Sequence, residues 1–420
     1  MTTPAGLRVY ELATRFATPA LRSWLASRAR AGREDPARLG ERWGRATVAR
    51  PSGRLLWLHG VSVGESLALL SLAERARETR PEVTILATTG TRTAAETMAR
   101  RLPPGAIHQY APLDTPAAAR AFVEHWRPDL GVFVESEIWP NLLRAAKGGG
   151  ARLALLSARM SDASVRRWGR FPASARAVFG GFDLILARDD TEAGKLSRLG
   201  ARVDGRIDLK FGAAALPAAE GLVETLRARW AGRPAILAAS THPGEDEIIL
   251  RAFREVLETH STAVLVIAPR HPARGEAIAR QARAEGFGAV RRGASEDIAD
   301  ATVVVADTLG ELGTWYPVAD VALIGGSWVE GVGGHNPLEP ARLDCPIVAG
   351  PHTEGWPVYS ELSQREAALI APAEGLATAM ALVFKNPDRL AAMAARARAF
   401  VSERDGLVRA GLDRTLDLLS

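Results

Sequence analysis

The sequence predicts an α/β fold of two doubly wound, parallel-sheet domains, and three observations carry that prediction. Short apolar runs of strand length alternate with helical stretches of about ten to fifteen residues, the pattern that lays helices on both faces of a parallel sheet. The alternation breaks at Phe211–Gly221 (FGAAALPAAEG) and then begins again. Polar and glycine-rich clusters recur where a strand hands over to a helix, which is where such sheets bind ligands.

In order, the first round reads as strands at Leu55–Leu58, Val83–Thr88, Ile107–Tyr110, Leu130–Val134, Leu153–Leu156 and Leu184–Ala187. Helical stretches such as Ser66–Thr79, Arg92–Arg101 and Pro116–His125 lie between them. The second round reads as Ala235–Ala239, Ala263–Ala268, Ala289–Arg291, Thr302–Ala306, Val321–Ile324, Pro346–Ala349 and Ala368–Ile370. Two Rossmann-like halves joined by a hinge form the GT-B arrangement, with its ligand site in a cleft at the carboxyl ends of the strands. The chain then divides into an N-terminal amphipathic segment (1–45), a first Rossmann-like domain (46–210), a linker (211–222), a second Rossmann-like domain (223–385) and a helical tail (386–420).

Composition narrows the class. The 420 residues suffice for two domains, and 47% hydrophobic with 24% charged residues is ordinary globular usage. The net charge of +5 is carried almost wholly by arginine, since the only lysines are Lys147, Lys195, Lys210 and Lys385. Arginine grips phosphate and carboxylate bidentately, and its spread along the chain does not indicate nucleic acid, a phosphorylated ligand or an anionic membrane surface fitting equally well. The one cysteine, Cys345, excludes an internal disulfide and any cysteine metal set. No run of eighteen apolar residues occurs, yet residues 6–30 interleave Leu7, Tyr10, Phe16, Leu21, Trp24 and Leu25 with arginines, and Arg8, Arg15 and Arg22 recur every seven residues. That pattern suits a helix lying in a membrane interface, and equally a surface helix packed on its own domain.

Five clusters carry candidate chemistry. In His59–Glu65 (HGVSVGE), Ser62 and Glu65 have capping-box spacing, while Glu65 also stands where a catalytic carboxylate is expected after a strand. The same run contains GxSxG, from Gly60 to Gly64, which admits Ser62 as a hydrolase nucleophile. Glu135 and Glu137 in ESEIWPN follow an apolar strand, as paired carboxylates or as a helix start enriched in acids. Ala238-Ala239-Ser240-Thr241-His242-Pro243-Gly244-Glu245 suits a phosphate or an ordinary capped helix, and Pro269-Arg270-His271-Pro272 suits an anion or a solvated turn. The densest stretch is Val303–Glu354. There Gly325, Gly326, Gly331, Gly333 and Gly334 permit close backbone approach, and Asn336-Pro337-Leu338-Glu339 reads as a capped helix start open to an anion. No GxGxxG with a following acid, no GxxxxGK[ST], no Asp-x-Asp pair and no Cys/His cluster occurs, which counts against a dehydrogenase, a P-loop enzyme and a metal-dependent transferase.

Together HGVSVGE, TTGTRT, YAPLD, ESEIWPNLL, SARMSDAS, ASTHPGE, APRHPAR, DTLGELGTWY and GGHNPLEPA resemble the Kdo transferases, GT-B enzymes that add 3-deoxy-D-manno-octulosonic acid to the lipid A precursor. The resemblance runs from Arg42 to Pro372. It implies an inverting, metal-independent transfer from CMP-Kdo at the cytoplasmic face of the inner membrane, with no cofactor and no nucleic-acid partner. It implies Glu65 as general base on a glucosamine 6′-hydroxyl, with His59, Ser62, Gly64, Glu135, Glu137 and Arg159 on the acceptor side. On the donor side it implies Lys210, Ser240, Thr241, Arg270, His271, Gly310, Glu311, Leu312, Gly334, Asn336 and Glu339. The sequence departs from the family where Gly205–Lys210 replaces a compact Gly-Asn-Leu-Lys turn, and where Ser157 stands in the place of an Asn. Its glycine loop, Glu330–Gly333, is one residue longer, and its N-terminus is less apolar. A GT-B transferase of another CMP- or UDP-activated sugar and a non-catalytic nucleotide or lipid binder are the competing readings.

Overall fold

The computed structural model describes residues 3–212, 215–298 and 300–420. Positions 213–214 of the expected linker, and the first two residues of the N-terminal segment, lie outside the described residues. Two compact units emerge, one from Met1–Ala213 with Asp405–Ser420 and one from Ala214–Arg404.

The first unit holds seven parallel strands: β1 (Leu55–His59), β2 (Thr84–Thr89), β3 (Ile107–Tyr110), β4 (Leu130–Val134), β5 (Arg152–Ala158), β6 (Leu184–Ala187) and β7 (Gly205–Arg206). Their order is β3-β2-β1-β4-β5-β6-β7. Strands covered on both faces need apolar residues at every position rather than at alternate ones. LLWLH in β1 and LGVFV in β4 are buried throughout. The Trp57 ring anchors one face, with Phe122 and Phe133 at 4.9 and 5.0 Å between centroids. The two-residue β7 has no apolar run, which is why the sequence does not announce it.

The N-terminal amphipathic segment forms two helices, Ala5–Phe16 and Thr18–Arg30, rather than one. Pro19 lacks an N–H and its ring crowds the carbonyl four residues back, so a single helix cannot run through. The seven-residue arginine spacing therefore spans a break. Leu7 and Leu25 pack inward, whereas Val9, Leu12, Phe16 and Trp24 stay exposed.

The second unit holds β8 (Ala235–Thr241), β9 (Val264–Pro269), β10 (Ala289–Arg291), β11 (Val303–Val305), β12 (Val321–Ile324), β13 (Ile347–Ala349) and β14 (Leu369–Ile370). These are parallel too, in the order β10-β11-β9-β8-β12-β13-β14. The tail is a 30-residue helix, Pro387–Leu416. Its Leu390 and Met393 join the core of the second unit, while Val408, Leu412 and Leu416 join the β1–β4–β5 core of the first. Among the described residues, no helix is long and apolar enough to cross a membrane.

Candidate active site

In each sheet the chain first winds one way and then the other, and a crevice opens where the direction reverses. In the first unit that point lies between the paired strands β1 and β4. The carboxyl end of β1 delivers HGVSVGE and that of β4 delivers ESEIWPN.

Glu65 sits in the first turn of the helix Val63–Thr79, as a capping box with Ser62. Its Oε2 accepts both Val61 N–H at 2.7 Å and Ser62 N–H at 3.0 Å. Ser62 Oγ accepts Glu65 N–H at 3.3 Å. A Cβ on Gly60 would come within 3.1 Å of Glu65 Cβ, so glycine fits this turn without pushing Glu65 aside. Ser62 has an ordinary extended backbone (φ −90°, ψ 168°) and serves as the helix cap, which is not the strained geometry of a nucleophile elbow.

His59 is buried. Its Nδ1 lies 2.9 Å from Thr88 Oγ1, which also accepts Trp57 Nε1–H at 2.8 Å. Nε2 has no hydrogen-bond partner and lies 3.7 Å from Glu137 Oε2, an oxygen that accepts Trp139 Nε1–H at 2.6 Å. Glu135 takes a left-handed backbone (φ 55°) and its carboxylate is ion-paired with Arg159. Ser157 is left-handed too (φ 47°); its hydroxyl donates to the Ile207 carbonyl at 3.1 Å and accepts Leu209 N–H at 2.8 Å. This pins the Arg206–Lys210 turn against the end of β5. Burial there raises the Asp208 carboxyl, against the opposing Lys210 N–H bond.

The remaining motifs of this unit have structural work. Arg42 donates to the Ala111 and Gly90 carbonyls at 2.7 and 3.2 Å, tying YAPLD to TTGTRT. Asp114 accepts Tyr10 O–H at 2.9 Å and Leu142 N–H at 2.8 Å, and so caps the helix Pro140–Gly148 that follows ESEIW.

In the second unit the reversal lies between β8 and β12. A bulge interrupts β8 at Ser240, which is left-handed (φ 61°). A Cβ on Gly325 would meet the Ser240 carbonyl oxygen at 2.5 Å, so glycine is required where the two strand ends close up. A cavity of about 140 Å³ here is lined by Ser240, Arg270, Gly310, Leu312 and Trp315, among others. Thr241 is wholly buried and its hydroxyl donates to Asp246 at 2.7 Å; Asp246 is in turn ion-paired with Arg274. Glu311 is bonded by Arg292 at 3.1 Å; burial opposes ionisation, but bonds from Arg292 and Thr308 hold its carboxyl below the usual range. Asn336 Oδ1 accepts Leu338 N–H at 3.0 Å and its amide donates to Glu339 at 3.2 Å, but the helix starts one residue later than expected, with Pro337 rather than Asn336 at its N-cap. The helix that follows, Leu338–Arg342, is five residues long. Burial raises the Glu339 carboxyl despite that bond and nearby Arg270. Gly334 is left-handed (φ 80°) and its N–H bonds the Gly326 carbonyl at 2.7 Å, folding the glycine loop back on itself.

Three residues lie inside the quoted motifs but are given no individual role by the sequence. Glu245 is fully buried and its carboxylate accepts N–H groups from His242, Gly326, Ser327 and Trp328, at 2.7 to 3.0 Å. His242 and His335 bond each other through Nε2 at 2.8 Å. The His242–His335 bond and the Glu245 bonds to Gly326, Ser327 and Trp328 join residues more than 80 positions apart, so local spacing carries no trace of them.

Two Rossmann-type sheets with polar and glycine-rich turns at both reversal points are the build of a two-domain α/β glycosyltransferase. A glycosyltransferase from Rickettsia africae shares the fold, with a TM-score of 0.58 over 88% of this chain and all of that one, at 12% identity. Residues 37–213 match the profile of the 3-deoxy-D-manno-octulosonic-acid transferase (kdotransferase) family. The 3-deoxy-D-manno-octulosonic acid transferase of Bordetella pertussis is 36% identical across 99% of this chain and 100% of its own length. A probable mitochondrial 3-deoxy-D-manno-octulosonic acid transferase of Arabidopsis thaliana is 36% identical over 82% of this chain and 79% of its own. The chain belongs to the Kdo transferase family, and it is a glycosyltransferase.

Proposed function

We propose that this enzyme moves Kdo from CMP-Kdo to a hydroxyl of a lipid A precursor, with release of CMP and inversion at the anomeric carbon. The observation that carries the reading is the Glu65 carboxylate. Both of its recorded bonds fall on Oε2, so backbone N–H groups orient it while Oε1 stays available to take a proton. A base so placed contributes about 10²–10⁴-fold. The anomeric carbon gathers positive charge as its bond to phosphate breaks, and the acceptor oxygen attacks the opposite face as Glu65 takes its proton. His59, Ser62, Gly64, Glu135, Glu137 and Arg159 shape the acceptor side. On the donor side, Ser240, Gly310, Leu312 and Trp315 enclose the nucleotide, with Thr241 and Glu311 holding their turns in place. Arg270, His271 and Lys210 supply positive charge to the departing phosphate, and Gly334, Asn336 and Glu339 border it.

Mass spectrometry of products from CMP-Kdo and a tetra-acylated lipid A precursor tests this. The expected result is an acceptor enlarged by Kdo, with CMP released and an inverted linkage by NMR. Product from CMP-sialic acid or a UDP-sugar but none from CMP-Kdo overturns it.

The acceptor is a lipid, and the enzyme acts at the cytoplasmic face of the inner membrane. The exposed row Val9, Leu12 and Phe16, three and four residues apart on one helical face, supports this, flanked by exposed Arg8 and Arg15. Leu12→Ser with Phe16→Ser changes only exposed side chains. It is expected to reduce flotation with anionic liposomes while leaving thermal unfolding unchanged; undiminished flotation removes the interfacial role.

A further inference from the structure

His242 follows β8 and His335 lies in the glycine turn after β12, so the two rings come from opposite sides of the same reversal point. Their Nε2 atoms are 2.8 Å apart, and the rings are nearly parallel, at 17° with centroids 5.0 Å apart. A bond between two such nitrogens requires one ring to donate Nε2–H and the other to accept through its lone pair. The neutral pair meets that requirement. One added proton enters Nδ1 of the donating ring and makes the bond charge-assisted, hence stronger. A second proton would fill the accepting lone pair and break the bond. The pair stores one proton.

The surroundings decide when it does so. Arg270, His271 and Arg274 act from the segment after β9, and Arg274 is already paired with Asp246. Glu245 acts from the helix Glu245–Thr259, with its carboxylate committed to backbone N–H groups. Tyr359 O–H donates to the His335 carbonyl at 3.0 Å. His352 and Glu354, 3.9 Å apart, belong to the strand of chain behind Gly334, and Glu339 acts on Arg270. Without an anion the arginines oppose the proton. Burial, then His242 and Arg270, bring His335 down to about 4. Burial foremost, with His271, Arg274 and Arg270 and against Glu245, lowers His242.

Arg270 both acts on the two rings and lines the nucleotide cavity. We infer that the His242–His335 pair is a positioning element for the departing phosphate, taking up one proton when a phosphate dianion settles against Arg270. The inference rests on the donor-site reading above. In the transfer, the bond from anomeric carbon to phosphate oxygen breaks and leaves its electrons on phosphate. The acceptor oxygen forms the new bond, its proton passes to Glu65, and the phosphate goes from one negative charge to two. The proton gained by the histidines comes from solvent.

Calorimetric titration of the full-length enzyme with CMP, and with cytidine as the phosphate-free control, tests the assignment. His335→Gln keeps an amide able to bond His242 but cannot hold the proton, and its thermal unfolding reports whether it folds. The titration of CMP's own phosphate is common to both proteins and cancels in the comparison. Uptake of one proton on binding makes binding more favourable at pH 5 than at pH 8, so the affinity gain of wild type between those two pH values is expected to exceed that of His335→Gln by about tenfold. His242→Gln should reproduce the loss from the other ring. The same pH dependence in wild type and variants, or the same dependence with cytidine, overturns the inference. A wild-type enzyme that binds no CMP at any pH overturns the donor site itself.

Discussion

Glu65→Gln is expected to lower turnover by about 10²–10⁴-fold while leaving CMP affinity within about twofold of wild type. The choice of glutamine follows from the geometry. Glu65 is at once the third-position partner of the Ser62 capping box and the proposed base, and alanine would remove both. Loss of the cap alone costs about 1 kcal/mol. Glutamine's carbonyl oxygen can still accept the Val61 and Ser62 N–H groups that now bind Oε2, so the turn survives. What glutamine cannot do is accept a proton at the second oxygen. Steady-state rates with CMP-Kdo, beside CMP titration and thermal unfolding of the same preparation, separate the two roles. A variant that turns over at near wild-type rate, with the cap intact, would end the assignment of Glu65 as base. A variant that loses CMP affinity in parallel with rate would point to a structural role instead.

The fold was legible because buried parallel strands announce themselves. Runs such as LLWLH, LGVFV and AILAAST are apolar at nearly every position, and the break at Phe211 separates two rounds of them. The exceptions are physical too. β7 is two residues of Gly and Arg held by pairing to β6, and no hydrophobic pattern marks such a strand. The N-terminal segment showed its apolar and basic character, but its division at Pro19 depends on one residue within an otherwise continuous pattern. In the candidate site the turns were legible and the side-chain contacts were not. Polar strand-end clusters marked Ser240 and Arg270 locally, whereas Gly310 and Leu312 were named only through the family resemblance; the structure brings the four around one cavity. Left-handed Glu135, Ser157 and Ser240 leave no sign in the sequence, because nothing but tertiary contact compels a non-glycine residue into that conformation. The same holds for the orphaned Nε2 of His59, whose isolation beside Glu137 depends on how β1 and β4 meet.

Glu245→Ala is expected to do the largest damage to stability. In sequence this residue is one acid among three at the start of a helix, Glu245, Asp246 and Glu247, where an acid of any kind suits the dipole. In the folded unit it is the only one of the three whose carboxylate reaches across to the loop after β12. There it gathers the N–H groups of Gly326, Ser327 and Trp328, as well as that of His242. Successive N–H groups converging on one point form a concave anion site, and Glu245 fills it from within. Bonds to a charged group are each worth about 1.5–3 kcal/mol, and donors left buried without a partner add their own cost. Because the four share one carboxylate and are not additive, roughly 4 kcal/mol is expected for the alanine variant. For a unit of this size that is a fall of about 10 °C in its unfolding temperature, readable by calorimetry. Glutamine should rescue little, since its NH2 would face N–H groups that need acceptors, and aspartate is one methylene too short to span the same four. CMP affinity should fall with stability, because the loop that Glu245 holds leads directly into Gly334 and His335. If Glu245→Ala unfolds within about 1 kcal/mol of wild type, the loop is held by something other than this carboxylate. The link from helix start to nucleotide turn would then fail with it.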